Sequence, residues 1–508
     1  MGRVSKIKGF LRLKIYLKFM ITIIDCYTDE PSGLGVPPYL GTYPRYLYGA
    51  LKEMGIKPYY LTIDDLRAWK KEKMPNKEKD IKTNIKMYNL TKNYAQVENI
   101  LNNSKEIIVI AGVNVPGKYL RAVPGTLKEI EEYLKDIKAR KILTGPAALL
   151  GSMLEGGKKA RKVTENCWDS IEYNLLEVND YDKIKEGSEL LDQIPWEVIA
   201  EIETGRGCNI GKCSFCTEPL KSCVEYRESK EIIQEIQNLS KKGVKHFRIG
   251  KQTCFYSYQN SNVAEIEKIL KETAKLKPKT FHIDNVNPNK VITKEGIEIT
   301  KLIVKYCTSG NVAAFGIESF DPEVIRKNTM NTSPVVAHKA IKIINEFGKE
   351  RGNNGMPKFL PGLNLLFGLI GENKETHKKN MEGLQRIMEH GFLIRRLNVR
   401  QVTPYEGTKL YEEAGVKFIR KNKKYYWKWR NEIRQNFDSP MLKRLVPINT
   451  VLRDVYMEIY DGKTTFGRQF GSYPLVVGIK GRIELGKYYD IKVTNHMLRS
   501  VTGEVVIK

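Results

Sequence analysis

Three cysteines within nine residues constrain this chain more than any other feature. The run ETGRGCNIGKCSFCTEP places Cys208, Cys213 and Cys216 in a C-x4-C-x2-C arrangement directly after a strand-like stretch. Gly205, Gly207 and Gly211 let the backbone wrap closely around an inorganic group. Thiolates are soft ligands that zinc and iron–sulfur clusters both accept. Three of them leave one iron of a cubane without a protein ligand, an open position of the kind catalytic metals keep. With Cys223 as a fourth ligand the pattern becomes C-x4-C-x2-C-x6-C, a closed site for zinc or an electron-transfer cluster. The cysteines alone leave both readings open.

Eight cysteines in 508 residues do not make a disulfide framework, so the trio reads as metal binding in a reducing compartment, the cytoplasm. No run of 18 apolar residues occurs, and no membrane span is expected. Lys and Arg outnumber Asp and Glu by 85 to 59, a formal charge of +26. Such an excess points to a polyanionic partner, RNA or DNA, unless the chain comes from a lysine-rich proteome whose charge is merely solvated. The opening MGRVSKIKGFLRLKIYLKF is basic and lacks a signal-peptide cleavage pattern. Translation is expected to begin at Met20, which makes residues 1–19 a start-site artefact; a native peptide spanning Lys18 to Thr22 would refute this.

Over 20–195 short apolar runs alternate with helical patterns. ITIID (21–25), KPYYLTI (57–63) and EIIVIAGV (106–113) read as strands, RKILTGPAALLG (140–151) as a strand and turn, and YPRYLYGALKEMG (43–55) as a helix. The alternation predicts an α/β, Rossmann-like parallel sheet with helices on its faces, and a charged loop or helix end at 71–82. A second β/α series fills 196–415, with strands expected in VIAEIET, KHFRIG, TFHIDN, AAFGIES, GLNLLFGL and RRLNVRQV and a helix at 229–243. Six such repeats imply a partial (β/α)6 TIM-type barrel. Residues 416–463 read as a basic helical linker, and 464–508, alternating and turning on glycine, as a small OB-like β-barrel.

Several motifs between 196 and 415 stand in the order of one family, the radical S-adenosylmethionine (SAM) superfamily, which the chain resembles. The cysteine loop follows the first barrel strand. FRIGKQTCFYSY (247–258) stands where that family places a glycine motif, which implies Gly250 as receiver of the SAM amino group. FGIESFDPEVIRKNTM (315–330) is similar to its G-x-E-S segment, which implies Glu318 and Ser319 near the SAM ribose and methionyl group. LLFGLIGENKETHKKNMEGL (365–384) resembles the G-L-P-G-E-T motif whose backbone meets adenine, which implies Gly368. VRQVTPYEGTKLYE (399–412) resembles the closing P-x-x-G-T-x-L-Y segment.

The resemblance implies a [4Fe–4S] cluster on Cys208, Cys213 and Cys216 with SAM chelating the fourth iron. An electron from a donor such as ferredoxin or flavodoxin would cleave SAM, and the 5′-deoxyadenosyl radical would abstract hydrogen from an unactivated C–H. The family's usual spacing is C-x3-C-x2-C, so one extra residue alters this loop. Cys254, just past the second strand, is the candidate catalytic residue, as second-cluster ligand, thiol or hydrogen-atom donor; the plainer reading is a small buried hydrophobe. Cys307, after TKLIVKY, reads as packing.

The flanks carry two more resemblances. FGRQFGSYPLVVGIKGRIELGKYYDIKVTNHMLRSVTGEVV (466–506) resembles the TRAM module of RNA-modifying enzymes, which implies RNA, and tRNA in particular, as partner. Upstream, KNKKYYWKWR (421–430) mixes five basic residues with four aromatics, either for phosphate pairing with base stacking or as an amphipathic helix packing its rings. Lys423, Lys424, Arg430 and Arg468 are the RNA-contact candidates. DCYTDEPSGLGVPPYLGTYPRYLYGALKE (25–53) resembles cobalamin-binding-type domains that precede many radical SAM barrels. The D-x-H-x-x-G motif is absent and no histidine precedes His246, so cobalamin is a weak expectation. An orthodox methylthiotransferase would carry three N-terminal cysteines, whereas residues 1–195 hold Cys26 and Cys167 alone. The leading expectation is a radical SAM enzyme modifying RNA. The alternatives are a cobalamin-dependent radical SAM methylase of another substrate and a non-catalytic RNA-binding protein with a structural metal site.

Overall fold

A parallel sheet of five strands organises the first part of the computed structural model, which describes residues 19–27, 39–72, 89–112, 124–152, 156–176 and 178–506. Residues 1–18 of the leader and 73–82 of the charged stretch lie outside these. The chain divides into two units, one of Met1–Glu155, Ala160–Glu201 and Gln234–Val244, the other of Gly156–Lys159, Ile202–Ile233 and Lys245–Lys508.

In the first unit the strands run spatially as Tyr59–Thr62, Ile21–Asp25, Glu106–Ile110, Arg140–Thr144 and Ser170–Glu172. Counted along the chain that is 2-1-3-4-5, a doubly wound order. Ile21–Asp25 and Glu106–Ile110 are buried at every position, as strands covered on both faces must be. Helices Thr42–Glu53, Ile63–Glu72, Val97–Asn103 and Leu127–Leu134 fall between the strands. The Rossmann-like expectation holds. The sequence reading missed Ser170–Glu172, which is only three residues long, and took Pro146–Leu150 for a turn where a short helix forms.

The six expected barrel strands all form, at Ile199–Ile202, His246–Ile249, Thr280–Ile283, Asn311–Glu318, Phe359–Phe367 and Arg396–Gln401. Within the second unit His246–Ile249 pairs in parallel with Thr280–Ile283, and the last three strands pair in parallel with one another. Helices Val263–Lys275, Lys294–Tyr306, Pro334–Gly348 and Lys374–Glu389 alternate with them, giving a TIM-like core. Each of these helices opens on a side-chain cap, from Asn262, Thr293, Ser333 and Asn373.

A closed five-stranded barrel ends the chain: Val451–Asp461, Thr464–Gln469, Val476–Lys480, Val501–Val505 and Tyr488–His496 in spatial order. Its pairings are antiparallel except for Val476–Lys480 with Val501–Val505. Two boundaries need correction. The helical stretch ends at Leu445, and the barrel begins at Val451, not at 464. A register shift between Leu452 and Val455, with Asp454 at φ 54°, breaks the alternation that would have marked the strand.

The small barrel is seated at the N-terminal ends of the core strands. Thr280 Oγ1 donates to the Phe470 carbonyl at 3.1 Å, and the Ser472 N–H donates to His282 Nδ1 at 2.9 Å. Met356 and Leu360 of the core belong to the same apolar cluster as Leu452, Val455 and Val477 of the barrel.

Candidate active site

Around the cysteine loop the backbone is pinned at both ends. Gly205–Arg206 pairs antiparallel with Glu225–Tyr226, closing the loop into a hairpin. Gly207 has φ +76°, and a Cβ on it would lie 2.3 Å from the Cys223 carbonyl oxygen, so only glycine fits there. Ser214 is buried, with its N–H donating to the Asn328 carbonyl and its hydroxyl 2.6 Å from Asn328 Oδ1. Leu410 N–H donates to the Ser214 carbonyl at 2.7 Å. Residues more than 100 positions downstream thus hold the loop, and Phe215 packs beside Val324, Leu369, Val402, Leu410 and Ile419. The cysteine loop is thus tied to the segments that carry Asn328 and Leu410.

Cys208, Cys213 and Cys216 are all half-buried free thiols. Burial, then the charges of Cys216, Glu318 and Cys208, push the Cys213 thiol up to about 12. Burial also raises Cys216, whose sulfur accepts the Glu218 N–H at 3.4 Å. The three sulfurs therefore sense one another, whereas Cys223 is exposed. Among the described residues no three His, Cys, Asp or Glu side chains converge as they would on a single ion. A cubane differs from an ion in that each thiolate binds its own iron, so its ligands need not meet at one point.

Glu318 ends its strand at a bulge. The register with Phe359–Phe367 slips between Phe315 and Glu318, and Glu318 takes φ +61°, a conformation that costs a non-glycine residue free energy and clusters at functional sites. Burial pushes its carboxyl up to about 7 against the pull of Arg400. Gly250, at φ +101°, follows the second strand and donates its N–H to the Ile202 carbonyl at 3.1 Å. Two residues on, both polar atoms of the Gln252 carboxamide are buried without a hydrogen-bond partner. An orphaned amide beside the cysteine loop is a cradle for a polar ligand. The sequence reading missed Gln252, although it lies inside the quoted glycine motif.

Other candidates are placed differently. The Ser319 hydroxyl is buried, 3.3 Å from Asn380 Oδ1 and accepting the Asp321 N–H, so it holds a turn rather than a ligand. The Gly368 N–H already donates to Glu372 Oε2 at 2.6 Å, and Ile419 covers the position where its Cβ would be. Cys254 is buried and accepts the Asn287 N–H at 3.3 Å; burial raises its thiol, and the packing reading fits it. Cys307 caps Lys294–Tyr306, its thiol likewise raised by burial.

Lys423 and Lys424 are exposed on the helix Lys417–Ile433, and Arg430 lies over the Trp427 ring at 5.2 Å. Trp427 is 64% exposed, whereas Tyr426 and Trp429 are buried against Phe367. The aromatic cluster thus splits between packing and surface. Arg468 is corrected: it is buried, 3.0 Å from Glu458, although its register beside Tyr456 and Val476 sets it on the face opposite the barrel's apolar interior. Among the described residues no helix is long and apolar enough to cross a membrane.

A thiol-bearing loop beyond the C-terminal ends of parallel strands in a TIM-like core defines a class, the enzymes that work on a cofactor at that face of such barrels. A profile of the radical SAM superfamily matches residues 202–384. An uncharacterized protein of Methanocaldococcus jannaschii is 42% identical over 530 residues, covering 95% of this chain and 93% of that one. An uncharacterized protein of Archaeoglobus fulgidus is 37% identical over 505 residues, covering 95% and 89%. Among solved structures, the radical SAM methyltransferase TsrM of Kitasatospora setae, with cobalamin and a [4Fe–4S] cluster bound, aligns at TM-score 0.49 and 12% identity over 77% of this chain and 74% of that one. The chain carries a radical SAM domain over residues 202–384. It is an enzyme whose cofactors are a [4Fe–4S] cluster and SAM.

Proposed function

We propose that this enzyme modifies RNA, tRNA being the simplest substrate, with Cys208, Cys213 and Cys216 each ligating one iron and Cys223 outside the ligand set. Bound together, the two cofactors supply one-electron cleavage of the sulfonium and a hydrogen-abstracting adenosyl group. The chain's own residues orient and enclose them. Glu318 and Gln252 offer polar contacts to SAM, while Gly250 lets the second strand turn close beneath it. Phe215, in its apolar cluster, keeps water from one side of the loop. The observation that carries the cofactor part of this reading is Glu318, turned by its bulge to φ +61° at the end of its strand.

RNA contact is assigned to the outer face of Lys417–Ile433. That helix starts beside Gly368 and Glu372, with Asn422 Nδ2 donating to Glu372, at the strand ends that carry the cysteine loop. The small barrel lies at the opposite strand ends, so RNA held there must reach past the core to the cluster. Exposed lysines beside an exposed indole suit phosphate pairing with base stacking.

Oxygen-free reconstitution should give about four irons per chain and release 5′-deoxyadenosine on reduction, in wild type and in Cys223→Ala but not in Cys208→Ala. A tetrahedral zinc centre that includes the Cys223 sulfur would end the proposal. For the RNA arm, Lys423→Glu with Lys424→Glu should flatten the salt dependence of tRNA binding by about one unit of log–log slope per lost phosphate contact. An unchanged slope would exclude that helix face. Cobalt content of the same preparations, after growth with cobalamin, reports on the other methylase reading.

A further inference from the structure

The strand Arg396–Gln401 turns Arg396, Asn398 and Arg400 to one face, all half-buried, while Leu397 and Val399 are buried on the other. Its register sets Asn398 against Asn364 of Phe359–Phe367, and their carboxamides bond at 2.8 Å. This face is open, because the register sets Arg396 against Gly362 and Gly362 against Ala314, and Gly316, two residues on along the same face, is exposed. Four strand residues put the two guanidinium-bearing positions about 13 Å apart, so Arg396 stands deeper than Arg400 beneath the cysteine loop. Tyr473, from the small barrel, closes the floor, with its ring centroid 3.4 Å from the Arg396 guanidinium. Gly316, exposed on Asn311–Glu318, keeps space open beside Glu318, since a Cβ there would meet Glu318 Oε1 alone within 4 Å.

Neither the Arg396 nor the Arg400 guanidinium makes a hydrogen bond or ion pair among the described residues. Asp438, which feels Arg396, is already paired with Arg434 and lies 3.6 Å from Arg499. Burial, with Arg400, Arg499 and Arg395 nearby, holds Arg396 down to about 9. A half-buried guanidinium whose N–H groups meet no acceptor is unfavourable until a ligand supplies one.

We propose that Arg396 and Arg400 form an anion strip inside the barrel that grips a carboxylate or phosphate of the substrate below the SAM site. That the anion belongs to a substrate rests on the radical SAM reading; that the strip binds an anion does not. A free small acid and a nucleotide phosphate present the same oxygens to the guanidinium fork, and the test separates them.

Calorimetry on the full chain would use inorganic phosphate in one arm and succinate in the other. Wild type should bind one of the two at a single site, phosphate pointing to a nucleotide and succinate to a free acid. Arg396→Gln and Arg400→Gln should each weaken that binding by about tenfold or more. If Arg396→Gln misfolds, Arg396→Lys carries the test, because a point charge on a flexible stem lowers affinity without removing the cation. Binding of neither anion by wild type, or wild-type affinity in variants that melt normally, overturns the proposal. 5′-Deoxyadenosine release by wild type in anion-free buffer is scored separately, so its loss would remove the radical reading while leaving the anion result intact.

Discussion

Glu372 shows how a single carboxyl can set a backbone turn at a ligand site. Its Oε2 accepts the N–H groups of Gly368 and Leu369, at 2.6 and 3.4 Å, and its Oε1 accepts Asn422 Nδ2 at 3.0 Å. Burial outweighs those bonds and pushes the carboxyl up to about 7. The folded chain therefore keeps a proton that the unfolded chain loses near pH ~4.3. Stability from this group is fully present below that value and is lost as pH rises through about 7. The cluster-free protein should melt at lower temperature at pH ~8 than at pH ~5, and Glu372→Gln should reduce the difference. Asp65, raised by burial to about 7, leaves part of the slope in place. A melting profile identical in wild type and Glu372→Gln would contradict the assignment. At this scale the sequence disclosed identities but not environments. Gly368 was singled out by its motif, yet nothing in the letters told that Glu372 already holds its N–H. Gln252 escaped notice because an orphaned amide is a property of packing, not of spacing.

Among elements, the seat of the small barrel depends on one imidazole. His282 Nδ1 accepts the Ser472 N–H, and Nε2 lies 3.2 Å from the Ser309 carbonyl, so the proton sits on Nε2. Burial holds the ring down to about 3. A depressed value means the seat's contribution is complete above pH ~6.5 and is lost as pH falls toward about 3. His282→Phe removes both bonds and strands a buried N–H, a cost of about 1–3 kcal/mol. Hydrogen exchange should quicken across Val451–Val505 and stay unchanged in Ile21–Asp25, and uniform exchange rates would refute the local role. Core strands were legible because all but Thr280–Ile283 end on a motif that marks the C-terminal end. Val451–Asp461 was not, because its bulge hides the alternation and basic helical text precedes it. The Ser472–His282 pair spans 190 positions, a separation that no local pattern reports.

For the whole molecule, the corrected barrel boundary governs where the chain tolerates a cut. Val451–Asp461 pairs with both Thr464–Gln469 and Tyr488–His496. A chain ending at residue 463 keeps that strand with both edges bare, a template for self-association. One ending at residue 445 lacks the strand altogether. Light scattering should find the longer product more aggregated, although it has lost less, and the reverse order would mean the strand folds without its partners. The α/β class, with its parallel sheets and a small closed barrel, could be read in advance, since it rests on periodicity and spacing. Which end of the core receives the barrel could not, because it depends on contacts between distant turns.

Met356 and Leu360 lend their side chains to the apolar interior of the small barrel. Evolution therefore could not shuffle this appendage as a free-standing cassette. Any chimera that imports a foreign barrel must replace the receiving socket too, so the two should change hands together when lineages of this enzyme diverge.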